Sequence, residues 1–504
     1  MKESYTEPEK QTARKEALEY AIKTLTKDRF NATIARKTYV REVWDYLKTH
    51  GSKADKAFIK NLKEKEIESW EQFYLSSVGK KKPSELKVAY LSGPNPINDL
   101  QVLVDNGILP ENVWAFESDN STYNSAVVAA LESQFPYIKI YKGRIENYLK
   151  ILSIRFDIIY LDFKGRIDSE KTLSVIRDLF NYQKLNSPGI LITNFALPEN
   201  ARDTIALSAN YLFPKSFTEK LTAYGGGYRE SAETYGISSE EFIKKAYKNP
   251  NTFYSQFITR VLYDLPSLIV PFQRFSKNET LIKTFFKKFN LSELPEDNCE
   301  EILTFPNEHS LVWSLNNFIV DLDEFENHLT KFRNQLAIDS KGNELLKAIE
   351  LMDFFSGEVN DEKYNSEKLQ KISSNWKSME KYVFCDVFLF HQLKDILIGQ
   401  LTSPYYYNVA KTKRWTYIAK TNRMFMDLVT YDECRYIFDW MPTIDMFEEG
   451  VDNLNRQLTL RFAMDSIAKQ RRWYNDEFFN GTAVIDQDEN GFAAQVLKKR
   501  KQIN

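Results

Sequence analysis

Apolar positions along the chain change period near residue 85. Before it, Ala35–Tyr46 and Phe58–Leu75 carry apolar side chains at mixed three- and four-residue spacing, with Ile59, Leu62, Ile67, Trp70 and Phe73 in the second stretch and lysines and glutamates between them. That spacing predicts amphipathic helices. Gly79-Lys80-Lys81-Lys82-Pro83-Ser84 is a polar, proline-bearing joint, where a boundary is expected. From there, short β-prone runs alternate with helical stretches. Leu86–Leu91 predicts a first strand, closed by Ser92-Gly93-Pro94-Asn95-Pro96. A helix follows, with Ile97, Leu100, Leu103 and Val104 on one face, Asn95 as its cap, Pro96 in its first turn and Gly107 at its end. Asn112–Phe116 predicts a second strand running into Glu117-Ser118-Asp119, and a helix over Ser121–Ser133 comes next. Tyr137–Tyr141, Phe156–Phe163 and Gly189–Phe195 supply three more strands, with a helix over Ser169–Tyr182 between the last two.

Strands that alternate with helices of about 10–15 residues indicate βαβ units and a parallel sheet. The fourth and fifth runs are nearly continuous in apolar residues, as strands covered on both faces are. The expected fold class is α/β: a Rossmann-like, doubly wound, mainly parallel sheet, with a helical N-terminal segment and a large, mostly helical C-terminal extension. The expected divisions are a helical segment over 1–82, the α/β domain over 83–275 with a helical insertion near 200–260, and a mostly helical region of one or two domains over 276–504. Within these, residues 265–275 could form a strand, 361–440 and 443–475 read as helical, and Gly225-Gly226-Gly227, bordered by Tyr224, Tyr228 and Arg229, reads as a loop or a lid.

Composition narrows the function classes. The 68 lysines and arginines nearly balance the 70 aspartates and glutamates, which excludes a protein-wide cationic field but allows a local basic face. The three cysteines (Cys299, Cys385, Cys434) and four histidines are scattered, so neither a disulfide framework nor a resident metal is expected. No run approaches the ~18 apolar residues of a membrane span, and the start is polar, so a cytoplasmic protein with no membrane partner is expected. Only 17 glycines occur, so their positions are informative.

One glycine stands at a strand end. In a parallel α/β sheet, ligands bind beyond the carboxyl ends of the strands. Gly93 lets the backbone approach a ligand there, and the helix that follows offers free N–H groups. Glu117 lies about 24 residues further on, close to the roughly 20 that separate such a glycine from an acid on a ribose; Asp119 is a second candidate. The loop is neither G-x-G-x-x-G nor G-x-x-x-x-G-K-[ST], which disfavours a pyrophosphate or triphosphate ligand and favours a cofactor without phosphate.

The pieces VAYLSGPNP (88–96), VWAFESD (113–119), IKIYKGRIENYL (138–149), FDIIYLDFKG (156–165) and GILITNF (189–195), in that order, resemble the class I S-adenosylmethionine-dependent methyltransferase superfamily. The resemblance implies S-adenosylmethionine as cofactor. Ser92 and Gly93 would wrap its methionine end, Glu117 or Asp119 would bind its ribose, and Arg144 or Ile145 would meet its adenine. Asp162 would face the methyl acceptor as an orienting group or base, with Lys164 beside it. Asp162-Phe163-Lys164-Gly165 is loosely similar to acid-aromatic variants of some RNA methyltransferases. The chain departs from the family pattern in its single loop glycine, in having no acid on the first strand, and in lacking an N-P-P-Y type sequence on the fourth.

Outside this region, residues 405–426 contain Lys411, Lys413, Arg414, Lys420 and Arg423, no acid, and interleaved Trp415, Tyr417 and Phe425. Cations that track phosphates and aromatics that stack on bases make a nucleic-acid interface; a helix with a buried aromatic side makes the same pattern. Arg471, Arg472 and Lys498–Lys501 add charge, offset by acids at 296–301, 321–326 and 432–433. This polarity favours an oriented partner, either a nucleic acid or an acidic protein. Two functions stay open: a methyltransferase acting on RNA or DNA, and a non-catalytic methyltransferase-like binding or assembly subunit of a larger complex, of the kind a microbial antiviral defence system would use. A small-molecule methyltransferase is disfavoured, because most of the chain would then be unexplained.

Overall fold

The structure is a computed structural model and describes residues 7–197, 201–221, 238–271, 274, 400, 402–442, 453–471, 484–485, 491–492 and 497–503. Five helices precede the first strand: α1 (Pro8–Leu25), α2 (Arg29–Ala32), α3 (Tyr39–His50), α4 (Lys53–Ile59) and α5 (Glu64–Val78). The alternating region then runs β1 (Val88–Leu91), α6 (Ile97–Asp105), β2 (Val113–Glu117), α7 (Asn120–Leu131), β3 (Lys139–Lys142), α8 (Ile145–Ile151), β4 (Phe156–Asp162), α9 (Glu170–Asn181) and β5 (Leu185–Ala196). Each expected strand is present within a few residues, and α8 is an addition. Gly107 ends α6 as expected: it sits at φ 88°, its N–H donates to the Val104 carbonyl, and the Ile108 N–H donates to Leu103, a Schellman closure. The cap at the other end is Pro96, with no side-chain bond from Asn95.

Three helices follow, α10 (Arg202–Leu221), α11 (Ser239–Lys248) and α12 (Pro250–Asp264). The strand expected over 265–275 is not formed in the described part: Leu265–Ile269 is a π-helical turn that continues α12. Leu265, Ile269 and Val270 are all buried, and a short, fully buried apolar run has no periodicity to separate strand from helix. Next described are β6 (Tyr406–Tyr407), β7 (Lys413–Ala419), β8 (Asn422–Asp432), α13 (Arg435–Phe438), α14 (Leu454–Arg471) and β9 (Lys501–Gln502). The helical reading of 405–426 is therefore corrected: these residues form a hairpin turned at Lys420, whose φ is 55°. The rest of the expected C-terminal extension, with the Gly225–Gly227 loop and the acidic runs at 296–301 and 321–326, lies outside the described residues.

One nine-stranded sheet results, ordered β3-β2-β1-β4-β5-β8-β7-β9, with β6 on β8. Strands β1 to β5 are mutually parallel, with Val88 opposite Val113 and Ile158 and with Asp162 opposite Asn194. Strand β8 joins antiparallel, Asn194 facing Met426, and pairs with β7, where Trp415 faces Met426. The molecule is thus a mixed α/β fold around a mostly parallel sheet. One face packs Tyr90, Tyr160, Ile192, Trp415 and Tyr417 against Ala13, Ala17, Leu18 and Ala21 of α1. The other packs Ala89, Ile159, Leu191 and Phe425 against Ile176 and Leu179 of α9 and Phe257, Ile258 and Val261 of α12. Alternate residues of each central strand serve opposite faces, as the two-residue period requires. No helix among the described residues is long and apolar enough to cross a membrane.

Candidate functional site

The carboxyl ends of β1 to β4 open into one cleft of about 390 Å³, within the 300–1,000 Å³ range of small-molecule sites. Every residue the sequence singled out in the α/β region lines it: Ser92, Gly93, Glu117, Asp119, Arg144, Ile145, Asp162 and Lys164. Its floor begins at the β1 loop, where the Ser92 N–H donates to the Phe116 carbonyl at 3.0 Å. Gly93 follows at φ 60°, and a Cβ there would meet no atom within 4 Å. The constraint is therefore the left-handed backbone, which favours glycine, and the side of the loop facing the cleft stays open.

The β2 end carries the acids. Glu117 is half-buried, and its Oε1 accepts the Asp119 N–H at 2.9 Å. The Gly143 N–H donates to the Glu117 carbonyl at 2.8 Å, which holds the β3 loop alongside. Asp119 is the N-cap of α7. It accepts the Ser121 hydroxyl at 2.7 Å and the Thr122 N–H at 2.8 Å, bonds that lower its carboxyl to about 2. Of the two acids, Asp119 has the bonds of a helix cap, and Glu117 lines the cleft beside it. Arg144 forms an ion pair with Glu146, while Ile145 is buried beside Phe116 and Leu149. The apolar wall at this end is thus Phe116 and Ile145, and Arg144 is held at the rim by its own neighbour.

Asp162 ends β4 and is not a solitary carboxylate. Its Oδ2 lies 2.7 Å from Nζ of Lys10, and its Oδ1 accepts from Nδ2 of Asn194 at 2.8 Å; the same amide group donates to the Tyr417 hydroxyl at 2.8 Å. Burial alone would raise the Asp162 carboxyl, but Lys10, the bond from Asn194 and the nearby Arg14 hold it below the ordinary range. Beside it, Nε of Arg14 lies 2.7 Å from Oδ1 of Asp99. Burial lifts Asp99 to about 6 against the pull of Arg14, and the Asp162 charge adds to the rise. Phe163 stacks on Phe195 with centroids 5.6 Å apart, and Lys164 is exposed at the mouth.

Sequence reasoning missed Lys10, Arg14, Asp99 and Asn194. A signal existed for the first two. Lys10 and Arg14 are four apart and share the helix face of Ala13, Ala17 and Ala21, so they are charges set in a stripe of small apolar residues. Such a stripe faces a core, and a charge within it needs a buried partner.

The residues expected to form one nucleic-acid face are not gathered together. Trp415 is 4% exposed and donates its indole N–H to Glu16 at 2.9 Å; Tyr417 and Phe425 are also buried. None of the three offers a ring to a base, which corrects the stacking role expected of Trp415. Arg414 donates to the Lys498 carbonyl at 2.7 Å and to Thr259 at 3.3 Å. Lys411 lies 3.9 Å from Asp28, and Lys413 stands 5.1 Å from the Tyr20 ring centroid. Lys420 and Arg423 sit at the opposite end of the hairpin, exposed. Among the described residues, no group of three or more histidine, cysteine, aspartate or glutamate side chains is placed to hold a metal ion. No family model matches the chain, and none of the curated proteins compared with it does.

Proposed function

We propose that the cleft binds S-adenosylmethionine and that the protein transfers its methyl group to a nucleic acid. The observation that carries this reading is the convergence of the Gly93 loop, Glu117 and Asp162 on one cleft at the carboxyl ends of four adjacent strands. The order β3-β2-β1-β4-β5 reverses direction between β1 and β4, and the ligand site of a Rossmann-like sheet is at that switch point. The residues present fit the cofactor. The open face at Gly93 admits its backbone-bound end, Glu117 accepts ribose hydroxyls, and Phe116 and Ile145 provide an apolar wall for adenine. Arg14 and Asp99 offer opposite charges to a zwitterion. Bound, the cofactor supplies an electrophilic sulfonium methyl that needs a positioned nucleophile.

Asp162 contributes position. Kept ionised by Lys10, it accepts a hydrogen bond from an N–H or O–H of the acceptor and so aims the lone pair. A carboxylate below its ordinary pKa is a weak base, so orientation outweighs proton removal at this atom. Lys164, exposed at the mouth, meets a phosphate of the acceptor. The nucleic-acid acceptor is supported by the cations near this edge of the sheet, Lys164, Lys420 and Arg423.

The Lys10–Asp162 pair also supports a second reading. Helix α1 already satisfies the carboxylate that would face an acceptor, as suits a binding or assembly subunit that holds the cofactor without turning it over. Titration calorimetry with S-adenosylmethionine, paired with transfer of labelled methyl to RNA and DNA, separates the two. Binding that Glu117→Ala abolishes, with transfer to either polymer, is the expected result. Binding without transfer to any polymer selects the second reading, and absence of binding overturns the cofactor assignment.

A further inference from the structure

A second concavity, of about 460 Å³, lies between α1, the start of β7 and the C-terminal segment. Its walls carry more cations than the fold uses. Lys501 is committed to Glu16 at 2.7 and 2.8 Å, and Arg414 to the Lys498 carbonyl. Lys23, Lys413, Lys498 and Lys499 remain, and among the described residues Lys23, Lys498 and Lys499 form no ion pair. The acids present are Glu16, already paired, and Glu19, which lies 3.9 Å from Lys15. The ammonium of Lys413 is depressed, first by burial and then by the like charges of Lys498 and Lys411. Cations gathered this closely repel one another, and a bound anion relieves the repulsion.

The place of the groove on the sheet says what sort of anion. Strand β7 starts at the groove and runs parallel to β5, because both are antiparallel to β8. Trp415 is level with Asn194 through Met426, so the far end of β7, with Lys420 and Arg423, extends beyond that level on the carboxyl side of the parallel strands. Seven residues at about 3.3 Å each put roughly 23 Å between Lys413 and Lys420. A compact phosphate compound engages one end of that distance. A linear polyanion engages both.

We propose that the groove of Lys23, Lys413, Lys498 and Lys499 holds the phosphodiester backbone of a nucleic-acid strand, which then follows β7 to Lys420 and Arg423 on the carboxyl side of the sheet. This rests on the acceptor class proposed above, though not on the cofactor. The cations contact phosphates, Trp415 in the same wall is buried, and the half-buried Tyr20 ring lies against Lys413, so binding is largely independent of base sequence.

Fluorescence anisotropy of the full-length protein with end-labelled 20-nucleotide RNA and DNA single strands tests this. Each lysine–phosphate contact contributes about 0.7 to the slope of log affinity against log salt for a single strand. Lys498→Ala with Lys499→Ala should lower that slope by about 1.4 and weaken binding at least roughly tenfold at low salt. Its unfolding midpoint and its calorimetric affinity for S-adenosylmethionine should stay as in the parent. Parent-like slope and affinity in the double variant would overturn the groove, as would a parent that binds neither strand. Displacement of the strand by a phosphorylated acidic peptide at equal charge concentration would overturn the nucleic-acid occupant. Loss of cofactor binding with strand binding intact would remove the methyl-transfer reading and leave the groove standing.

Discussion

Arg14 and Asp99 meet at 2.7 Å in the wall of the cleft, and both side chains are almost fully buried. A buried ion pair adds little to stability compared with apolar residues of the same volume, because each charge must be stripped of water. On the proposed cofactor reading, its place beside the Gly93 loop offers a guanidinium to the ligand's carboxylate and a carboxylate to its ammonium. S-adenosylhomocysteine carries both groups, and methylthioadenosine carries neither. The parent should bind the former more tightly. Arg14→Met should lower S-adenosylhomocysteine affinity by about thirtyfold, the equivalent of roughly 2 kcal/mol for a charge-assisted bond, and should leave methylthioadenosine binding unchanged. Calorimetry with both ligands checks this, the second ligand confirming that the cleft has stayed folded. An unchanged preference would remove Arg14 from the ligand's partners.

Helix α1 reaches the cleft from outside the alternating region, and its small residues decide how. Ala13, Ala17 and Ala21 are at most 1% exposed and let the helix lie close against the sheet over Tyr160, Ile192 and Tyr417. That approach places Lys10 on Asp162 and Arg14 on Asp99. Ala17→Leu should force the helix outward, costing about 1–3 kcal/mol of stability, and should weaken cofactor binding although residue 17 touches no cleft atom. Thermal unfolding and calorimetry on one preparation measure both effects; lost stability with unaltered binding would separate the helix from the site. These same elements show what the sequence made legible. Strands β1 to β5 were readable because each is a short apolar run bounded by turn residues, and Gly93, Glu117 and Asp162 were readable because they close those strands. Lys10 and Arg14 were not, since nothing local ties residue 10 to residue 162. The β7–β8 hairpin was hidden for a different reason. Trp415 and Tyr417 face α1 while Phe425 and Thr416 face α12, so both sides are buried and the polar–apolar alternation that marks a half-exposed strand is blurred.

At the scale of the whole molecule, the last described residues are tied to the sheet by an edge strand and a buried arginine. Strand β9 pairs with β7, Trp415 opposite Lys501, and Arg500 passes beneath the hairpin. Its Nη2 lies 2.5 Å from Oδ1 of Asp427, its Nε donates to the Ser255 hydroxyl at 2.5 Å, and its Nη1 donates to the Met426 carbonyl at 3.1 Å. Asp427 is fully buried and also accepts from Thr259 at 2.6 Å. Burial lowers the Arg500 guanidinium to about 10 even against the attraction of Asp427. Helix α12, the hairpin and the C-terminal segment thus share one buried charge pair, and the segment that carries Lys498 and Lys499 is anchored through it. Removing one partner leaves the other unpaired: Arg500→Met should cost about 3–5 kcal/mol. Removing both, with Asp427→Asn added, should recover a large part of that loss, because no uncompensated charge then remains. Denaturant unfolding of the two single variants and the double gives the coupling directly. Additive losses would mean that Arg500 stabilises the molecule through its backbone-carbonyl and serine bonds alone, and that the C-terminal segment is held independently of the hairpin it crosses.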